Sequence, residues 1–208
     1  MRNRVLGGLL ALSVVFAAPA FAGTVLEDWS KAEAPKVPVP KPVTLDAKTS
    51  ALLVLDMVRQ GCNDQRRPRC LPTVPATEKL IAKARAAGAP VIYTLVAGST
   101  EADILPSLAP KPGEPNVRAG TDKFLNTNLD ELLKARGVKT VVLLGTATHG
   151  AVEFTASEAA LRGYEVVIAA DGTSADSISI EQAAIWTLLT APVTSPHTTL
   201  SLGDLINF

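Results

Sequence analysis

One acidic side chain stands at a position suited to acid/base chemistry. Asp56 directly follows an unbroken apolar run at residues 51–55. Such a run is typical of a strand that is buried on both faces of a parallel sheet. A carboxyl group at the carboxyl end of this strand lies at the mouth of the crevice where α/β proteins bind ligands, so Asp56 is a candidate proton donor or acceptor. Its alternative role is to cap the following loop.

A second candidate region spans residues 141–152. An apolar run there breaks at a glycine, passes through small residues and one histidine, His149, and continues into a helical pattern. A strand, a tight turn and a helix start in this order place backbone N–H groups in the same crevice. The turn has no Ser, Cys or Thr where a nucleophile would lead the helix. His149 is either a site residue or a hydrogen-bonded cap.

The N-terminal residues predict export. Two arginines precede an apolar run at residues 5–18, and Ala20-Phe21-Ala22 is a small-x-small cleavage sequence. We therefore predict a signal peptide at residues 1–22 and a periplasmic or secreted mature protein. An uncleaved membrane anchor is the alternative, although the apolar run is shorter than a spanning helix needs. The 20 basic and 20 acidic side chains balance, so the chain lacks the basic excess that a nucleic-acid partner requires.

The only two cysteines, Cys62 and Cys70, predict a disulfide. An exported chain reaches an oxidising compartment, where a close pair of this kind is expected to be joined. Metal binding is the alternative, but the neighbouring sequence offers no further ligands at zinc spacing, so we expect neither a metal nor a cofactor. The same loop carries Arg66, Arg67 and Arg69, which either form a solvated face or attract an anionic ligand.

Strand and helix patterns alternate along residues 50–208, which predicts right-handed crossovers and one α/β domain with a mainly parallel sheet. Before it, the proline-rich residues 23–49 predict an extended arm that lies over the domain, reaches a partner subunit or is a solvated tether. We predict strands at residues 51–55, 90–96, 116–118, 139–144, 164–170 and 198–202, and helices at residues 77–87, 128–136, 152–162 and 180–189.

Four segments, in their order and spacing, resemble the isochorismatase-like hydrolase family, also called the cysteine hydrolases. The resemblance covers about residues 50–189 and implies a three-layer Rossmann-like α/β fold, a parallel sheet of about six strands and a homo-oligomer. The segments are Leu53-Val54-Leu55-Asp56-Met57, Phe124-Leu125-Asn126-Thr127-Asn128-Leu129, Gly145-Thr146-Ala147-Thr148, and Gly163-Tyr164-Glu165-Val166-Val167 running on to Asp171.

Members of this family typically combine an Asp, a Lys and a Cys, and the Asp corresponds to Asp56. The Lys usually lies six positions before the residue that corresponds to Phe124, which points to Arg118. The Cys position corresponds to Ala151. An Arg at position 118 can clamp a carboxylate or orient Asp56, whereas Lys123 replaces it only if the loop takes another register.

Ala151 excludes the thiol mechanism of the family's amidases, because a methyl group cannot form the covalent intermediate. The resemblance then points to the isochorismatases proper, which hydrolyse a vinyl ether without a Cys and carry Ala-His-x-Gly at this turn. Thr148-His149-Gly150-Ala151 is similar. In that branch the Asp is the general acid that protonates the vinyl carbon before water adds.

The sequence as a whole predicts an exported hydrolase that acts on a small carboxylated or amide metabolite through Asp56 acid/base chemistry, without a thiol nucleophile. The alternative is a catalytically silent family member that binds a small molecule or a protein partner. We expect no membrane association after signal cleavage. The expected site comprises catalytic Asp56, Arg118 and His149, the nucleophile position Ala151, and the substrate-binding residues Lys123, Phe124, Thr146, Ala147 and Gly150.

Overall fold

The computed structural model describes residues 23–208, and the predicted signal peptide lies outside the described residues. The chain divides into two compact units after Lys36. The described part of the first unit, residues 23–36, contains one short 3-10 helix, Trp29–Lys31. The second unit, Val37–Phe208, contains all the other elements described below. No helix within residues 23–208 has the length and apolar character to cross a bilayer.

The second unit contains eight strands, of which the six central ones form a single sheet. Every neighbouring pair in that sheet is parallel, which confirms the predicted α/β fold class. The strands are β1 (Val43–Thr44), β2 (Ser50–Leu55), β3 (Val91–Leu95), β4 (Asn116–Arg118), β5 (Thr140–Thr146), β6 (Glu165–Ser174), β7 (Thr198–Ser201) and β8 (Ile206–Asn207). The order across the sheet is β4-β3-β2-β5-β6-β7.

Four α-helices connect these strands, at the places where the sequence predicts them. A π-helical turn, Thr148–Val152, precedes the third of them directly. The α-helices are α1 (Val74–Ala87), α2 (Leu129–Lys134), α3 (Glu153–Leu161) and α4 (Ile178–Thr190), and short 3-10 helices lie at Pro68–Thr73, Glu101–Asp103, Pro106–Leu108 and Gly203–Leu205.

The helices cover both faces of the sheet, which explains why its strands are unbroken apolar runs. Every residue of β2 is buried, and successive side chains enter opposite layers. Leu52 and Val54 pack in the cluster that contains the buried side chains of α1. Leu53 and Leu55 pack in the cluster that contains those of α2, α3 and α4. The result is the three-layer arrangement that the resemblance implies.

Strands β5 and β6 extend further than the sequence predicts. The predicted strands end at residues 144 and 170, but the pairing of β5 with β6 shifts register between Leu143 and Gly145 and then resumes, with Gly145 opposite Thr173. Such a bulge bends a strand and re-aims the residues that follow it. The two strand ends therefore reach beyond the rest of the sheet, where a ligand crevice is expected.

Part of the predicted arm belongs to the compact unit. β1 pairs in parallel with β8, with Val43 opposite Ile206. The backbone N–H of Lys41 also donates to the carbonyl oxygen of Leu200 at 2.9 Å. The arm residues from Val37 onward therefore lie on the domain, which is one of the three alternatives that the sequence analysis left open.

Candidate active site

The candidate site lies where the order of the strands reverses. The chain proceeds from β2 through β3 to β4 on one side, and from β5 through β6 to β7 on the other. In a sheet of this topology, ligands bind in the crevice beyond the carboxyl ends of the two central strands. Leu55 pairs with Gly145 across those strands. Asp56 and the turn that begins at Thr146 consequently emerge side by side.

Asp56 is held in an unusual backbone conformation. Its φ of 53° lies in the left-handed region, which few residues other than glycine adopt. Thr94, on the neighbouring strand β3, binds it twice. The Asp56 N–H donates to Thr94 Oγ1 at 3.1 Å, and Thr94 Oγ1 donates to Asp56 Oδ1 at 2.7 Å. Such backbone conformations persist where the surrounding structure fixes them, often at functional sites. Here the backbone of Asp56 and its two hydrogen bonds with Thr94 orient the carboxylate across the crevice.

Lys123 is the cation that meets this carboxylate. Its Nζ lies 2.6 Å from Asp56 Oδ2 and also donates to the carbonyl oxygen of Gly120 at 2.6 Å. The Lys123 side chain is fully buried, and Asp56 is only 6% exposed. The main-chain N–H of Lys123 donates to Thr155 Oγ1 of α3, which ties the loop to that helix. The site therefore contains a buried ion pair whose cation is Lys123, the alternative to Arg118 in the sequence analysis.

Arg118 does not take the expected place beside Asp56. It ends the edge strand β4, which β3 separates from β2. Its Nη1 donates to the carbonyl oxygen of Ser99 at 2.5 Å, and the residue is exposed. Lys123, and not Arg118, therefore makes the contact with Asp56 that was expected of the family Lys. Arg118 instead lines a surface cavity of about 330 Å³, together with Gly120 and Asp122.

Phe124, which the sequence predicts to bind substrate, packs in the hydrophobic core. The segment from Gly120 to Thr127 is irregular, so its consecutive side chains enter different environments. Phe124 is buried, its ring centroid lies 6.0 Å from that of Tyr164, and the Arg162 guanidinium covers it at 5.1 Å. This irregularity explains how Lys123 reaches Asp56 while the next residue points away from it.

The turn after β5 is shaped by close packing against β2. A Cβ at Gly145 would collide with the carbonyl oxygen of Leu55, and the φ of Gly145 is 127°, so only glycine fits. The Thr146–Ala147 peptide is cis. Gly150 N–H then donates to the Ala147 carbonyl oxygen at 3.0 Å as the π-helical turn begins.

Within this turn, the predicted site residues point in different directions. Ala151 is 4% exposed and packs in the core cluster of α3, so its methyl group faces inward. Thr148 is also buried, and its Oγ1 has no hydrogen-bond partner among residues 23–208. His149 is exposed, and its ring makes no hydrogen bond with any described residue. The structure therefore does not place His149 with the Asp56–Lys123 pair, because the turn directs it to solvent.

The predicted disulfide between Cys62 and Cys70 is present, with the two Cα atoms 5.3 Å apart. It closes the loop between β2 and α1, which lies beside the crevice. Arg67, inside this loop, is 8% exposed and donates from Nη1 to Thr146 Oγ1 at 3.0 Å. The sequence singled out Arg67 only as one of three loop arginines. Within the described part of the chain, no group of three or more His, Cys, Asp or Glu residues is arranged to hold a metal ion.

Comparisons with known proteins match this chain to one family. A family model described as the isochorismatase domain matches residues 50–198. The "Secreted isochorismatase effector Isc1" of Verticillium dahliae is 30% identical over 142 residues, covering 62% of this chain and 75% of that protein. A "Ureidoacrylate amidohydrolase RutB" of Methylorubrum extorquens is 28% identical over 183 residues, covering 64% of this chain and 73% of that protein.

Solved structures lead to the same family. The crystal structure of an isochorismatase family protein from Desulfovibrio vulgaris superposes with a TM-score of 0.68 at 25% identity, covering 75% of this chain and 95% of that one. Residues 50–198, which the family model matches, contain β2 to β6 and the first residue of β7, the ion pair of Asp56 with Lys123, and the turn at Ala151. The chain belongs to the isochorismatase family.

Proposed function

We propose that this protein is an exported hydrolase of small carboxylated or amide metabolites, which uses Asp56 for acid/base chemistry and has no thiol nucleophile. The observation that carries this proposal is the buried contact of 2.6 Å between Asp56 Oδ2 and Lys123 Nζ at the strand-order reversal. A buried pair of charges is costly to maintain for stability alone, and it sits where this fold binds ligands.

The proposed chemistry avoids a covalent intermediate because Ala151 has no nucleophilic atom. With a vinyl ether, the Asp56 carboxylate takes a proton from the Lys123 ammonium group and gives it to the terminal vinyl carbon, and the ether oxygen stabilises the resulting cation. Water then adds to that cation and returns a proton to the carboxylate. The hemiketal formed collapses to a ketone and an alcohol. Lys123 Nζ lies within hydrogen-bond distance of the carboxylate, so it can hold the carboxyl group in place and exchange a proton with it.

The names of two relatives support the substrate class and the export. A relative at 28% identity is named as an amidohydrolase acting on ureidoacrylate, a small amide-containing acid, and another at 30% is named as secreted. An amide substrate requires attack by water, because this chain has no thiol at the turn. The exported compartment agrees with the signal-peptide prediction and with the disulfide of Cys62 and Cys70.

A turnover screen of the mature protein, residues 23–208, tests this function with vinyl ethers, primary amides and ureido acids. We expect Asp56→Asn to lower kcat at least about a hundredfold, the usual contribution of a general acid. Asp64→Asn is the matched control, because Asp64 is exposed on the following loop. Unchanged activity in Asp56→Asn and Asp56→Ala would exclude the mechanism.

One observation favours a second function, that of a silent member that binds a small molecule or protein partner. By the resemblance, the family's nucleophile position corresponds to Ala151, whose methyl group has no nucleophilic atom. Saturable binding of a small acid or amide in titration calorimetry, with no product formed after prolonged incubation, supports this alternative. Multiple turnovers that Asp56→Asn abolishes exclude it.

A further inference from the structure

Arg67 is a buried cation at the edge of the candidate site, and the proposed mechanism does not use it. It is 8% exposed, whereas its neighbours Arg66 and Arg69 are exposed. Arginine is seldom buried to this extent unless its guanidinium group is paired. Its position within the Cys62–Cys70 loop restricts where it can move.

The hydrogen bonds of Arg67 leave part of its guanidinium group free. Nε donates to Asp176 Oδ1 at 3.0 Å, and Nη1 donates to Thr146 Oγ1 at 3.0 Å. Within residues 23–208, Nη2 makes no hydrogen bond with the protein. An arginine carries five N–H donors, and two of those of Arg67 are used, so most of its hydrogen-bond donors remain available to a ligand. By contrast, both oxygens of Glu181 bind Arg69 at 2.8 and 2.7 Å, which occupies its fork.

The protein partner of Arg67 neutralises it only in part. The Asp176 side chain is 46% exposed, so water screens that ion pair. The carboxylate binds through one oxygen to Nε, and the edge formed by Nη1 and Nη2 keeps the geometry that suits a second carboxylate.

The free edge of the guanidinium group lies close to both parts of the site. A Cβ placed on Gly61 would lie 3.8 Å from Arg67 Nη1 and 4.0 Å from the carbonyl oxygen of Asp56. Thr146, which accepts from the same Nη1, begins the turn that carries Ala151. Arg67 therefore stands between the start of that turn and the backbone of Asp56.

We propose that Arg67 is a specificity-determining residue that binds the carboxylate of the substrate and places its reacting group at Asp56. This assignment rests on the proposed function, in that it takes the Asp56–Lys123 crevice as the substrate site. The disulfide loop holds the arginine in position. Arg67 N–H donates to the Asn63 carbonyl oxygen at 3.0 Å, and the Arg67 carbonyl oxygen accepts from Cys70 N–H at 3.0 Å.

Titration calorimetry on the oxidised mature protein tests the proposal with two acid and amide pairs of matched size, maleamate with maleamide and benzoate with benzamide. We expect wild type to bind at least one acid about tenfold or more tightly than its amide, as for a charge-assisted hydrogen bond. Arg67→Gln should abolish this preference, and Arg67→Lys should retain only part of it. Arg66→Gln, which removes the same charge from the same loop, should leave the preference unchanged.

Asp176→Asn separates ligand binding from loop anchoring. It removes the protein partner of Arg67 but keeps the guanidinium group, so we expect the acid preference to persist. Loss of the preference in Asp176→Asn to the same extent as in Arg67→Gln would assign Arg67 to anchoring alone and overturn the proposal. Retention of the preference in Arg67→Gln, or no binding of either acid at millimolar concentration, would also overturn it.

Two measurements keep these outcomes interpretable. Circular dichroism melting identifies any variant that does not fold, and if Arg67→Gln does not, the comparison of folded Arg67→Lys with Asp176→Asn decides the question. Binding is measured without turnover, so a protein that fails every activity screen but prefers acids through Arg67 contradicts the proposed hydrolysis and supports the carboxylate site.

Discussion

Replacement of Lys123 by Met tests whether Lys123 is the buried partner of the Asp56 carboxylate. Met has a similar length and an apolar end, so it fills the space of the lysine side chain without its charge. Asp56 then remains buried with Thr94 as its neutral partner. An unpaired buried carboxylate is destabilising because neither water nor a cation solvates it.

The expected loss in the free energy of unfolding is about 3–5 kcal/mol, the usual effect of removing one partner from a buried pair. A native domain has a stability of about 5–15 kcal/mol, so Lys123→Met is expected to fold with a small margin. The double variant Asp56→Asn/Lys123→Met removes both charges. It should be more stable than Lys123→Met alone, because no unpaired charge stays inside.

Equilibrium urea unfolding, followed by circular dichroism, measures these differences. With a denaturant slope of about 2 kcal/mol/M, the Lys123→Met midpoint should fall by about 2 M. Lys134→Met is the matched control. Lys134 is 66% exposed and pairs with Asp130 at 2.8 Å on the surface of α2, so its loss should cost no more than about 0.5 kcal/mol.

Two results would refute this reasoning. A loss of less than about 1 kcal/mol in Lys123→Met would mean that the lysine is not the buried partner of Asp56, because that cost matches a surface pair. A double variant no more stable than Lys123→Met would mean that the destabilisation comes from packing and not from an unpaired carboxylate.

Two further predictions concern stability. Native protein should contain no alkylatable thiol, and alkylation of two thiols without reductant would contradict the disulfide. In urea unfolding, the free energy of unfolding of Cys62→Ala/Cys70→Ala should be about 2–3 kcal/mol lower than that of wild type, as expected for a short closed loop. Burial raises the pKa of Glu114, but hydrogen bonds from the Arg85 side chain and the Lys111 backbone lower it more, so its net pKa is depressed. The stabilisation from the Glu114 carboxylate is therefore present above the ordinary Glu pKa and is lost as pH falls through the depressed pKa. Glu114→Gln lacks this carboxylate, so its thermal stability should fall less steeply on acidification than that of wild type. Equal slopes in the two proteins would contradict this prediction.

The apolar runs predicted the fold because a doubly covered parallel sheet leaves few polar residues in its strands. Asp56 was predicted as a site residue for the same reason, since the apolar sequence of β2 changes abruptly to a charged residue at its end. Asp171 and Gly172 are a turn signal, so β6 was predicted to end at residue 170. Pairing across the bulge carries the strand to Ser174 instead. The two-residue strands β1 and β8 have no pattern long enough to detect.

The cation of the site could not be assigned by counting from Phe124. Its segment is neither strand nor helix, so no periodicity indicates which side chain points to Asp56. Arg118 had the expected spacing, but its strand is at the sheet edge. Thr94 was missed for a related reason, because its contact with Asp56 depends on the register of β3 and β2. Contacts between distant segments such as these follow from the assembled sheet.

The left-handed backbone of Asp56 limits which descendants of this protein are possible. Among residues with a side chain, Asn and Asp tolerate φ near 53° best, and Asn also keeps the shape of the carboxyl group. Asn is therefore the substitution by which a lineage can discard the proton-transferring group while the peptide chain follows the same path. Other side chains at position 56 would be selected against for backbone strain before any effect on catalysis.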